Sequence, residues 1–131
     1  MIGLVIVTHA RMGHELLRAA ETIVGKIEQA EAVGIEPDDP VEKIQAAIQA
    51  AVEKVTGQGL IIMTDMFGGT PSNMSLSFLE ENRVEVLTGV NLPMLIKFST
   101  ERSKRPLAEL ARLLKERSQE GILVAGEYLK K

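Results

Sequence analysis

IGLVIVTHA, residues 2–10, is a continuous apolar run that stops on a histidine. Its β-branched composition suits a strand buried on both faces, expected over Ile2–Thr8. A second run, Leu60–Thr64, stops on Asp65 and continues as MFGGTPSN, residues 66–73. In an open parallel sheet, ligands and chemistry gather at the carboxyl ends of the strands. His9 and Asp65, each delivered to that edge by a strand, form a candidate active-site pair.

Outward from these runs, strands alternate with helices. Gly13–Gly25 reads as a helix with Leu16, Leu17, Ala20, Ile23 and Val24 at helical spacing, and Gly25 is placed to end it. Ala30–Ile35 is a second strand, closed by the turn EPDDP at 36–40. Asp39 is expected to cap the next helix, with Pro40 at its first position. That helix carries Val41, Ile44, Ile48 and Val52 on one face and ends near Gly57. Gly59–Thr64 is the third strand. Thr70-Pro71 reads as an N-cap and first-turn proline for a helix running to about Asn82. Val84–Thr88 is the fourth strand, followed by the loop Gly89–Pro93 and a helix near Pro93–Thr100. Pro106 opens a further helix through Gln119, with Leu107, Leu110, Leu113 and Leu114 as its stripe. Gly121 breaks it, and Ile122–Leu129 reads as a fifth strand.

This alternation predicts a doubly wound α/β fold, a mostly parallel sheet with helices on both faces. Right-handed crossovers restrict the order, and the usual solution, 2-1-3-4, places the first strand centrally. The switch point then lies between strands 1 and 3, which end in His9 and Asp65. Topology brings the pair together before any function is assumed.

A chain of 131 residues is expected to form one domain, residues 1–131. The absence of cysteine excludes disulfides, thiolate metal sites and a cysteine nucleophile. A net charge of −3, with no tryptophan and one tyrosine, gives no reason to expect nucleic-acid binding. The apolar stretch Ile2–Val7 is too short for a signal peptide core or a membrane span. A cytoplasmic protein with no direct membrane insertion is expected.

A histidine presents a neutral, nucleophilic nitrogen at cellular pH. A carboxylate on one ring nitrogen fixes the tautomer, leaves the other lone pair free, and stabilises the cation formed when that pair is used. Asp65 is the natural orienting group. The competing reading leaves His9 as an ordinary strand-end residue bonded to a backbone carbonyl. Gly68, Gly69 and Thr70 let the backbone approach an anion closely, with the start of the next helix aimed at the same place. The Thr70 hydroxyl either caps that helix or donates to a phosphate oxygen. The turn is neither a Walker loop nor a G-x-G-x-x-G fingerprint. Together these residues point to a histidine that receives or donates a phosphoryl group, with no cofactor. A metal-free site is expected, because His14, five residues past His9, is not at a metal-ligand spacing on one helical face and no further clear ligand follows. His14, Arg11 and Arg18 read as solvated or partner-facing. Asn91-Leu92-Pro93 follows the fourth strand on the same edge. Asn91 either caps a helix there or, with Pro93 and with Phe67 of the glycine turn, walls the pocket.

THA at 8–10, DMFGGTPSN at 65–73 and GVNLPML at 89–95 resemble the IIA component of the mannose-family sugar phosphotransferase system. The D-x-x-G-G-[ST]-P-x-N and N-x-P-M-L blocks carry the likeness together, and it covers nearly the whole chain in order. The resemblance implies that His9 is phosphorylated, that Asp65 orients it, and that Gly69 and Thr70 hold the phosphoryl group. It implies the histidine-containing phosphocarrier protein as donor and a IIB component as acceptor. It also implies a homodimer that exchanges a final antiparallel edge strand, here Gly121–Leu129. Phe67 stands where tryptophan is as often expected, and His14 matches no functional position. No IIB segment follows, so a free-standing IIA serving uptake or regulation is expected. The alternatives are the phosphoryl-donor subunit of dihydroxyacetone kinase, expected to lack the GGTP turn, and a non-catalytic phosphate-binding module.

Overall fold

β1, Gly3–His9, is buried from Gly3 to Thr8, and only its last residue, His9, reaches solvent. A computed structural model describes residues 1–55 and 57–130. Three further strands, β2 (Ala30–Ile35), β3 (Leu60–Thr64) and β4 (Val84–Thr88), complete a sheet of order β2-β1-β3-β4. All three pairings are parallel, and Val7 faces Val33 on one side and Thr64 on the other. The connecting helices are α1 (Met12–Val24), α2 (Val41–Lys54), α3 (Thr70–Leu76), α4 (Leu92–Glu101) and α5 (Leu107–Glu120), followed by the short α6 (Ala125–Leu129).

Side chains alternate across the sheet, and both faces are covered. Leu4 and Ile6 join Ile61 and Met63 in a core with Leu95 and Phe98 of α4 and Leu110 and Leu114 of α5. Val5 and Val7 join Leu60 and Ile62 in a second core with Ile44 and Ile48 of α2. Burial on both sides is why β1 reads as an unbroken apolar run rather than an alternating one. Each such aliphatic side chain contributes about 1.5–3 kcal/mol when fully buried. Those four consecutive residues of β1 therefore fix its position and register.

At the amino edge, Arg102 follows α4 and is buried. Its Nε and Nη2 donate to the Ile2 carbonyl at 3.0 and 2.7 Å, and its guanidinium lies 4.8 Å from the Phe98 ring centroid. Burial pushes its pKa down and the Glu28 charge pulls it back up, with a net lowering.

Several boundaries differ from the sequence reading. Gly69, not Thr70, is the N-cap of α3, and Thr70 is its first residue. Asp39 does not cap α2; its Oδ2 accepts the Glu36 amide at 2.8 Å and its Oδ1 the Lys43 ammonium at 3.1 Å. α3 stops at Leu76 rather than near Asn82. Ser75 and Ser77 hydroxyls donate back to the Pro71 and Met74 carbonyls there, the competition that makes serine a poor helix interior residue.

The largest correction concerns the chain end. The expected antiparallel edge strand over Gly121–Leu129 does not form. Residues 122–124 are irregular and Ala125–Leu129 is helical. The amides of Glu127 and Tyr128 both donate to the Val124 carbonyl at 3.0 Å. A strand needs a neighbour for its amides and carbonyls, and within one chain this segment pairs with neither sheet edge, so it satisfies its amides locally. Its apolar side chains stay out: Ile122 and Leu129 are each 74% exposed.

Candidate active site

β1 and β3 are adjacent, so their carboxyl ends present His9 and Asp65 side by side. His9 shares the sheet face of Val5 and Val7, against which α3 packs. The His9 backbone amide donates to Asp65 Oδ2 at 3.0 Å, and the ring Nδ1 meets the same oxygen at 2.7 Å. Asp65 Oδ1 accepts the Met66 amide at 3.1 Å. An ionised carboxylate only accepts, so Nδ1 carries a proton, and in the neutral ring Nε2 keeps its lone pair. The Asp65 side chain is only 9% exposed, whereas the His9 side chain is 52% exposed. The orienting group is sheltered and the group it orients is open.

Partial burial of Asp65 pushes its pKa up. The hydrogen bonds from the His9 amide and ring, the His9 charge and the following amide pull it down and prevail, so it lies below the ordinary carboxylate value. Asp65 therefore stays ionised throughout the range in which histidine titrates.

The glycine turn closes against the ring. A Cβ built on Gly69 would lie 3.1 Å from His9 Cε1 and 3.6 Å from Nε2, so a side chain there would press the imidazole edge back by a few tenths of an ångström. Gly68 is left-handed, with φ 89°, and a Cβ there would meet nothing within 4 Å, so this side of the turn is open. No side chain caps α3, and the amides of its first turn have no carbonyl within the helix to reach. His9 and Thr70 thus line one cavity, and Gly69 lies against the edge of the His9 ring.

Beside the ring lies a cavity of about 590 Å³, walled by His9 and Thr70 and by the apolar side chains of Ile35, Pro37, Val41 and Ile44. A cavity of about 670 Å³ at the other end of the sheet, bounded by Gly57–Leu60 and Asn82–Val84, is larger. No histidine or aspartate lines it, so size does not choose the site here; the convergent polar groups do.

The other residues singled out in the sequence divide. Asn91 is the N-cap of α4: its Oδ1 accepts the Met94 amide at 3.0 Å and its Nδ2 donates to the Ser118 carbonyl at 3.2 Å. Of its two readings the cap is the one observed. Neither Asn91 nor Pro93 lines the cavity beside His9; Asn91 borders a separate small cleft with Lys115 and Ser118 of α5. Phe67 is 74% exposed. It does not line that cavity either. Arg11 and Arg18 are exposed, as expected, but His14 is half-buried, and its Nδ1 is buried with no hydrogen-bond partner. Among the described residues, no three histidine, aspartate or glutamate side chains are grouped as a metal site.

Sequence reasoning missed three supports. Thr8 Oγ1 accepts the Gly13 amide at 2.8 Å and ties the start of α1 to the end of β1. Ala10, directly after His9, is left-handed with φ 48°, and its amide donates to the Ile35 carbonyl at 2.9 Å. The end of β2, the turn after it and the start of α2 supply the apolar cavity wall. Its place on the same carboxyl edge was the available signal; nothing in the sequence marks Ala10.

The family described as PTS system fructose IIA component matches residues 3–115. The chain is 29% identical over 133 residues to the fructose-specific EIIA component of Bacillus subtilis, covering 100% of this chain and 91% of that one. It is 32% identical over 124 residues to the mannose-specific EIIAB component of Escherichia coli K12. That match covers 92% of this chain and 38% of the relative, so the chain spans well under half of it. The crystal structure of phosphotransferase system component EIIA from Streptococcus agalactiae superposes with a TM-score of 0.87 at 26% identity, covering 97% of this chain and 99% of that one.

Proposed function

The chain belongs to the PTS system fructose IIA component family, and from that premise we propose that His9 carries the phosphoryl group. Family membership makes it a phosphotransfer component of a sugar phosphotransferase system. The observation that carries the assignment to His9 is the 2.7 Å contact of Nδ1 with Asp65, which leaves Nε2 as the free nucleophile beside the Gly68–Thr70 turn.

The step is an in-line transfer between two proteins. The Nε2 lone pair attacks phosphorus on a phosphohistidine of the donor, the donor's N–P bond breaks, and the donor imidazole leaves with that electron pair. Asp65 holds the Nδ1 proton throughout and stabilises the positive ring that forms. The amides and hydroxyl of Gly68, Gly69 and Thr70 take up charge on the equatorial oxygens. No cofactor enters, because the phosphoryl group arrives activated as a phosphoramidate. The donor is the histidine-containing phosphocarrier protein. The acceptor is a IIB component, and the Escherichia coli relative's name joins an A to a B component. The exposure of the His9 ring suits a nucleophile that must meet two protein surfaces in turn.

Residues 1–131 act as one IIA domain in the cytoplasm. In support, no helix among the described residues is long and apolar enough to cross a membrane. The partner of the chain end is a second copy. Ile122, Leu123, Val124, Tyr128 and Leu129 are all more than half exposed, and an apolar segment without a strand neighbour suits exchange between protomers. Sedimentation should give a dimer, and Ile122→Ser with Leu123→Ser should shift it to monomer.

The test of the carrier reading is phosphorylation from labelled phosphoenolpyruvate through the donor chain. Wild type should take up acid-labile, base-stable label, His9→Ala none, and the label should pass to a IIB component. Label retained in His9→Ala would move the reaction to another residue. A wild type that takes up none would leave the turn as a non-catalytic phosphate-binding module.

A further inference from the structure

We infer that Gly34 is a positioning residue for His9, acting through the left-handed turn at Ala10; the kinetic part of this inference rests on the carrier reading above. Gly34 lies on β2 opposite Thr8, and the next pair in register is His9 with Ile35. A Cβ built on Gly34 would stand 2.2 Å from the Ala10 carbonyl oxygen and 3.2 Å from the Ala10 carbonyl carbon. His14 Cε1 would lie 3.5 Å away, an ordinary contact. The residue that forbids a side chain at position 34 is therefore Ala10, through its backbone.

Ala10 holds φ 48°, a left-handed conformation that is unfavourable for a non-glycine residue. Two features hold it there. Its amide is bonded to the Ile35 carbonyl, and its own carbonyl lies over the bare α-carbon of Gly34. The turn begins at the residue after His9, whose amide and ring both bond to the same Asp65 oxygen. That pair of hydrogen bonds to one oxygen requires the His9 backbone and ring to be aimed together. A turn displaced at Ala10 shifts the His9 peptide and separates the two contacts. Gly34 thus sets Ala10, Ala10 sets the exit direction of β1, and the exit direction sets the ring that carries the lone pair.

A side chain at position 34 would drive the Ala10 carbonyl back by roughly 1 Å to reach an ordinary contact distance. A misplacement of about 1 Å costs about 100-fold in rate. Gly34→Ala should therefore keep the wild-type circular dichroism spectrum and lose about 100-fold in phosphoryl uptake. Ala10→Gly in the same chain, which frees the turn to move its carbonyl aside, should recover most of that loss. Imidazole nitrogen NMR on the unphosphorylated protein supplies a readout that a merely structural role would not move. Wild-type His9 should show a single Nδ1-protonated tautomer, Gly34→Ala a mixture, and the double variant the single form again. This arm needs no phosphoryl donor, so it tests Gly34 even if His9 carries no phosphoryl group, whereas label uptake by wild type tests the carrier reading alone. An unchanged tautomer in Gly34→Ala, or a double variant no better than the single one, overturns the inference. Gly34→Ala chains that fail to fold even with Ala10→Gly overturn it as well, because Gly34 would then serve packing alone.

Discussion

β1 ends in two different ways. At its start, the Ile2 carbonyl accepts two bonds from a buried guanidinium that also covers an aromatic ring. At its finish, His9 receives one carboxylate on Nδ1 and keeps Nε2 free in an open site. Both ends place an ionisable group against the strand. The first uses its hydrogen-bonding capacity on backbone carbonyls within the fold, and the second keeps a lone pair in reserve. The difference separates a group that holds the fold together from one that is held for use. A charged side chain at a strand end is therefore not in itself a sign of function; an unused lone pair beside unused amides is.

Three perturbations bear on that contrast. The largest effect is expected at the carboxyl end. Asp65→Asn keeps the shape but offers Nδ1 an amide instead of a full charge, and phosphoryl uptake should fall on the order of 10³-fold while the chain still unfolds cooperatively. A normal rate in this variant removes Asp65 from the mechanism and makes His9 a self-sufficient nucleophile. At the amino end the pattern should invert. Arg102→Ala strands the Ile2 carbonyl and should lower stability by about 2 kcal/mol in denaturant titration, with uptake per folded molecule unchanged. Loss of uptake at full stability would mean that the two ends communicate.

The smallest effect is a pH dependence. The folded pKa of Asp65 is depressed relative to the unfolded chain, so its contribution to stability is complete above the unfolded value, about 3.9, and is lost as pH falls through the folded one. The difference in denaturation midpoint between wild type and Asp65→Asn should be constant above about pH 5 and shrink steadily in more acidic buffers. A difference that grows on acidification reverses the sign and contradicts the hydrogen-bonded, ionised Asp65.

Local sequence went far in this chain because its two central strands, β1 and β3, are buried on both faces. Apolar runs such as Leu4–Val7 and Leu60–Met63 leave little freedom in strand assignment, and the usual order for such alternation with helices, β2-β1-β3-β4, is the one observed. The same logic failed at Ile122–Leu129. There the apolar pattern describes a segment that pairs with neither edge of the sheet, and its amides are satisfied within a helical turn instead. Helix caps were read less well, because Asp39 and Asn91 carry the same chemistry and only their surroundings decide its use. Asn91 turned to its helix, whereas Asp39 turned to the Glu36 amide and Lys43.

By itself the sequence determined the doubly wound sheet, its order, and the meeting of His9 and Asp65 at the switch point, since these follow from periodicity, crossover handedness and two runs ending on ionisable residues. Tertiary structure alone decided which nitrogen of His9 is free, that Gly69 carries the ring edge, that Ala10 turns left-handed over Gly34, and that Asn91 and Pro93 stand apart from the cavity beside His9. Those outcomes depend on contacts of a few ångströms between residues distant in the chain, and no local pattern encodes them.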